Sequence, residues 1–111
     1  MRSAAPSLIS RLDDQPGRVM RLLGTLANDR RLKIVCLLRT GERSVGELAG
    51  AVDGSQSTVS QHLARLRQDG LVATRREGRT IFYRLANPRI EALVEALAGV
   101  MLDVSEDGPW S

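Results

Sequence analysis

At 111 residues the chain has room for one domain and one modest core, because small folds bury a smaller share of their surface than large ones. Its 42% hydrophobic and 26% charged residues exclude the weakly hydrophobic, highly charged chains that stay unfolded, and the net charge of +3 points to an anionic partner only if it is focused. The one cysteine, Cys36, has no partner for an internal disulfide or a Cys-rich zinc cluster, as in proteins of a reducing cytosol.

The N-terminal run Met1-Arg2-Ser3-Ala4-Ala5-Pro6 lacks the apolar core of a secretion signal. No apolar stretch approaches the roughly 20 residues that span a bilayer. A cytoplasmic protein without a membrane partner is expected. Residues 1–15 read as a flexible N-terminal segment, 16–104 as the folded domain and 105–111 as a flexible tail.

After Pro16-Gly17, the apolar residues Val19, Leu22, Leu23 and Leu26 recur at helical spacing and predict a first helix over 18–26. Asn28 or Asp29 suits the N-cap of a second, with Leu32, Ile34, Val35, Cys36, Leu37 and Leu38 forming a broad apolar face and Gly41 ending it. Ser44 with Glu47 three residues on is the capping-box pattern, and it opens a short helix carrying Val45, Leu48, Ala49 and Val52 up to Asp53-Gly54. Ser55 caps a fourth, which runs to Gly70 with a narrow apolar stripe of Val59, Leu63 and Leu66. Two β-rich runs, 71–74 and 80–85, flank Arg75-Arg76-Glu77-Gly78-Arg79 and predict a hairpin. Asn87-Pro88 then starts a last helix with Ile90, Leu93, Val94, Leu97, Val100 and Met101 on a stripe too long for so small a core.

The order is α-α-α-α-β-β-α, mainly helical with a β-hairpin wing. Two short helices meet at Asp53-Gly54-Ser55, and a hairpin follows the second, which is the winged helix-turn-helix arrangement. The second of these presents Gln56, Ser57, Ser60, Gln61, His62, Arg65 and Arg67 outside its apolar stripe. Ser, Thr and Gln are only tolerable helix formers, but they reach base edges well. Arg65, Arg67, Arg75, Arg76 and Arg79 face only Asp69 and Glu77, so this stretch carries a net charge as large as that of the whole chain. Such focusing suits phosphate, and arginine at a hairpin tip suits a narrow minor groove. The plainer reading of the same arginines is a hairpin kept soluble by charge.

The runs Leu26-Ala27-Asn28-Asp29-Arg30-Arg31-Leu32-Lys33-Ile34, Ser44-Val45-Gly46-Glu47-Leu48-Ala49, Ser55 through Arg67, and Gly70-Leu71-Val72 through Tyr83-Arg84-Leu85 together resemble the ArsR/SmtB family of winged-helix repressors. The resemblance covers about 18–101. It implies a homodimer built by the first and last helices, with Val19, Leu22, Leu93, Val94, Leu97 and Met101 at the interface. It also implies a double-stranded, palindromic operator read by Ser55, Gln56, Ser57, Thr58, Ser60, Gln61, His62 and Arg65, with Arg75, Arg76 and Arg79 in the wing.

Most members of that family leave DNA on binding a metal. A Cys-Val-Cys run holds it in many of them, and here the place reads Ser44-Val45-Gly46. On the last helix the corresponding positions are Asn87, Arg89, Val100 and Asp103, which do not make a transition-metal site. No metal or other cofactor is therefore expected. The run around Cys36 resembles the reactive-sulfur-responsive subgroup typified by BigR and SqrR, whose second cysteine lies on the last helix. That stretch here is Gly99-Val100-Met101-Leu102-Asp103, without a thiol. Three readings stay open: Cys36 senses a reactive sulfur species or oxidant alone, the chain is a constitutive repressor with Cys36 as a core residue, or an unrecognised ligand acts. No spacing for a nucleophile and base, paired carboxylates or a phosphate loop is present, so catalysis is not expected. The rival to a DNA-bound, nucleoid-associated regulator is a winged-helix protein-interaction module that does not bind DNA specifically.

Overall fold

The computed structural model describes residues 7–14, 16–52 and 54–107. The expectations for 1–6, for the Asp53 turn position and for 108–111 lie outside the described residues. The elements are α1 (Leu8–Asp14), α2 (Pro16–Leu26), α3 (Asp29–Leu38), β1 (Arg43–Ser44), α4 (Val45–Ala51), α5 (Gln56–Gln68), β2 (Val72–Glu77), β3 (Thr80–Leu85) and α6 (Pro88–Asp107). The expected order is present, with two additions. Helix α1 stands inside the segment read as flexible, and the two-residue strand β1 pairs with β3 through Arg43 opposite Tyr83 and Ser44 opposite Phe82. Helix α6 runs two residues past the expected start of the tail, to Asp107.

Local chemistry sets the boundaries. Asn28 accepts from the Arg31 backbone N–H at 3.1 Å and caps α3. At the end of α5, Gly70 adopts φ +78, its N–H donates to the Arg67 carbonyl and the Leu71 N–H donates back to the Leu66 carbonyl at 2.9 Å. This six-to-one closure needs the left-handed conformation glycine tolerates, and it turns the chain from α5 into the sheet. The sheet order is β1-β3-β2, all antiparallel. Strand β2 extends to Glu77 opposite Thr80, so the hairpin loop shrinks to Gly78-Arg79 and Arg75 and Arg76 stand on the strand. Paired strand backbone satisfies hydrogen bonds that a five-residue loop would leave to water.

The core joins Ile34, Val35 and Leu38 of α3 with Leu48 of α4, with Val59, Leu63 and Leu66 of α5, with Leu71 just before β2, with Leu85 of β3 and with Val94 of α6. Val94 was expected at a dimer surface, but it is fully buried within its own protomer. The apolar residues of α6 cover more than one face, and spacing alone did not say which face the protomer uses. Leu22, Leu93 and Leu97 are half-buried against the core. Val19 and Met101 are exposed, as are Met20 and Leu23 on α2 and Val100 on α6. The helices near the two ends of the chain thus keep large apolar side chains in solvent, which marks an interaction surface.

Candidate nucleic-acid interface

Helix α5 separates its two faces sharply. Val59, Leu63 and Leu66 are fully buried, whereas Gln56, Ser57, Ser60 and Gln61 are exposed and, among the described residues, make no side-chain hydrogen bond or ion pair. Four short polar side chains on one side of a helix N-terminal half, with their donors and acceptors open, form a surface suited to base edges. Ser55 and Thr58 do something else. The Ser55 hydroxyl accepts from the Thr58 N–H at 3.1 Å and donates to the Thr58 hydroxyl at 2.9 Å, so these two residues form the N-cap of α5.

Further along α5, His62 is half-buried and its Nδ1 lies 3.4 Å from Nη1 of Arg31. A guanidinium only donates, so Nδ1 accepts and the imidazole proton resides on Nε2. Burial first, then the charges of Arg31 and Arg30, hold the His62 pKa below its usual value. Arg65 donates from Nε to Asp69 Oδ2 at 3.0 Å, leaving its terminal nitrogens open toward solvent. Asp69 also accepts from the hydroxyl of Thr25, a fully buried residue of α2. Those two hydrogen bonds, Thr25 before Arg65, keep the Asp69 carboxyl below the usual carboxylate range. Thr25, Arg30 and Arg31 were not among the candidate site residues, and Asp69 was counted only as an opposing charge. The signal for Asp69 was its four-residue spacing from Arg65 at the end of α5, whereas nothing in the spacing tied Thr25, Arg30 or Arg31 to that helix.

The wing arginines differ from one another. Arg75 pairs with Glu42 and Glu77 and stacks 4.7 Å from the centre of the Phe82 ring. The hydrogen bonds to Glu42 and then Glu77 raise its pKa, and the Arg75 hydrogen bond lowers that of Glu42. Arg75 therefore fastens the wing to the body instead of presenting a free charge. Arg76 donates from Nε to the Gly78 carbonyl at 3.1 Å, across the turn. Arg79, in the turn itself, is exposed and unpaired among the described residues.

Ser44 and Asn87, two of the positions weighed above as metal ligands, cap helices here. Ser44 accepts from the Glu47 N–H at 3.3 Å while Glu47 accepts from the Ser44 N–H at 2.9 Å, a complete capping box at the start of α4. Asn87 accepts from the Ile90 N–H at 3.0 Å at the start of α6. These residues do not fit a thiolate or imidazole site, and among the described residues no group of three or more His, Cys, Asp or Glu is placed to hold a metal ion. Cys36 is half-buried against the core, and burial pushes its thiol pKa up more than the nearby Arg39 pulls it down. No helix among the described residues is long and apolar enough to cross a membrane.

A model of the arsR family of bacterial regulatory proteins matches residues 28–74. The chain is 45% identical over 93 residues to the transcriptional activator HlyU of Vibrio cholerae, covering 84% of this chain and 86% of that one. It is 40% identical to the transcriptional repressor BigR of Xylella fastidiosa, whose crystal structure superposes with a TM-score of 0.73 over 85% of this chain and 96% of the other. The solution structure of a homodimeric winged helix-turn-helix DNA-binding domain from Mycobacterium bovis aligns at 37% identity and a TM-score of 0.75, over 95% and 94% of the two chains.

Proposed function

The chain belongs to the arsR family of bacterial regulatory proteins, and from that premise we propose a homodimeric DNA-binding transcriptional regulator that lays α5 in the major groove of a palindromic operator. The observation that carries the reading is the set of exposed, unpartnered side chains Gln56, Ser57, Ser60 and Gln61 on one side of a helix whose other side is locked in the core. These four read bases. Arg65 and Arg79 contact phosphate, while Arg75 and Arg76 hold the wing in shape for Arg79. Two protomers place their α5 helices about 34 Å apart, one turn of DNA.

The protein acts in the cytoplasm by binding alone, without catalysis. Repression is the direction proposed, because a dimer seated on promoter DNA blocks polymerase by occupancy and needs no further surface. Of the candidate effectors, reactive sulfur and oxidants meet a thiol whose pKa is raised by burial, which favours Cys36 as a packing residue over Cys36 as a sensor.

The test is a fluorescence anisotropy titration against the DNA upstream of the chain's own gene and a scrambled duplex, at several salt concentrations. A steep fall of affinity with salt and a preference for the native sequence are expected. A flat salt dependence with no preference would replace the reading by a winged-helix protein-interaction module.

A further inference from the structure

Thr25 is the one polar residue among the described residues that is buried among the core side chains, with no exposure at all. It sits in the last turn of α2, and two tethers leave it for α5. Its hydroxyl donates to Asp69 Oδ2, and the same oxygen accepts Nε of Arg65 at 3.0 Å. Its carbonyl accepts Nε of Arg31 at 2.7 Å, and Nη1 of Arg31 stands 3.4 Å from His62 Nδ1. One buried residue on the helix that carries exposed Val19, Met20 and Leu23 therefore touches, through one intermediary each, two polar side chains on the helix that faces DNA.

The chemistry of the Asp69 tether is specific. The Asp69 side chain is 5% exposed and that of Arg65 is 47% exposed, so a nearly buried carboxylate holds the inner edge of a guanidinium whose outer edge meets solvent. Arg65 spends Nε on Asp69 and keeps both terminal nitrogens, the edge that forms a two-pronged contact with phosphate. The Thr25 hydroxyl fixes the carboxylate, and a fixed carboxylate fixes the arginine. Without that donor, Asp69 has rotamers to choose from and Arg65 loses a single direction.

We propose that Thr25 is a positioning residue for DNA binding: through its hydroxyl and Asp69 it orients Arg65, and so registers the DNA-facing helix α5 against α2. This rests on the DNA-binding reading above and assigns how α2 and α5 act together within it.

The test compares Thr25→Val, which keeps the shape and removes the donor, with Thr25→Ser, which keeps the donor. Thr25→Val is expected to weaken operator binding roughly fivefold to tenfold, and Thr25→Ser to stay within about twofold of wild type. Asp69→Asn, which keeps an acceptor for Thr25 but removes the charge that holds Arg65, is expected to reproduce the loss. In an Arg65→Ala background, Thr25→Val is expected to have no further effect, because the residue it acts through is gone. An equal loss in both backgrounds, or no loss in either, overturns the proposal. In the DNA-free protein, the Arg65 Nε–H resonance is expected to shift and to exchange faster in Thr25→Val. A resonance that does not move overturns the tether whatever the DNA result, whereas wild-type protein that binds no DNA overturns the functional reading beneath it.

Discussion

Arg75 on β2 donates from Nε to Oε1 of Glu42 at 2.6 Å and so ties the wing to the segment leading into β1, 33 positions away in sequence. The contact separates two jobs that look alike in a run of arginines. Arg79→Ala is expected to weaken binding to every duplex and to lower the log–log salt slope by about 0.9, the signature of one lost phosphate contact. Arg75→Ala is expected to weaken binding with little change of slope, because its charge is already matched by Glu42 and Glu77. Salt-series titrations of the two variants decide it, and equal slope changes would return Arg75 to the DNA.

Gln61→Ala should behave differently from both. An exposed amide offers a donor and an acceptor together, the pairing that reads adenine, and such a contact contributes about 1–3 kcal/mol of discrimination. The variant is expected to lose preference for its operator while keeping its affinity for scrambled DNA and its salt slope. Competition titrations measure this directly. An unchanged ratio of specific to non-specific affinity would place Gln61 off the bases.

Cys36 is expected to alkylate with iodoacetamide at pH 7 more slowly than free cysteine, and to reach the free rate once the protein is denatured. The cause is burial, which raises its pKa and lowers the thiolate fraction. Operator affinity with and without an organic persulfide is expected to match between wild type and Cys36→Ser. Release of the wild type alone would make the thiol a sensor.

The parts of the fold that depend on neighbours in sequence were legible. The Ser44 and Glu47 capping box, the Gly70 stop and the Val59, Leu63, Leu66 stripe all lie within one or two helical turns, where spacing is geometry. Strand β1 was not legible, since two residues carry no periodicity, and in α1 the apolar residues Leu8, Ile9 and Leu12 span barely more than one turn, too short a run to separate a helix from an irregular segment. Of the candidate interface, only the local pattern was legible. Gln56, Ser57, Ser60 and Gln61 stood out because polar residues on one helix face form a local pattern. The pairing of Arg75 was not legible because its partner Glu42 is distant in sequence, and the link between Thr25 and Asp69, 44 positions apart, exists only once the chain has folded.

His62 provides a pH test. Its folded pKa is depressed by burial and by Arg31 and Arg30, so as pH falls below the usual value near 6.5 the unfolded chain takes up a proton that the native protein resists. Stability is therefore full above that value, falls as pH drops through it and levels once the folded pKa is passed. His62→Gln, which has no such proton, is expected to flatten the fall in Tm between pH 7 and 5. An identical pH profile in wild type and variant would show that His62 does not feel the two guanidiniums.

Leu23 and Val94 separate association from folding. Leu23 is 51% exposed on α2 beside exposed Val19 and Met20, whereas Val94 on α6 is fully buried in the protomer. An aspartate at position 23 adds a charge that a dimer interface has to desolvate, while the isolated protomer keeps it in water. Leu23→Asp is expected to weaken dimerisation by on the order of tenfold or more with little change in the stability of the protomer. Operator affinity falls with it, because a dimer gains its second half-site at high effective concentration and a monomer does not. Val94→Ala instead removes buried methyl groups and is expected to cost about 2 kcal/mol, lowering Tm at every protein concentration. Light scattering and concentration-dependent melting of the two variants distinguish the effects. If Leu23→Asp stays dimeric at micromolar concentration, the exposed face of α2 lies outside the interface and the dimer must form through other residues.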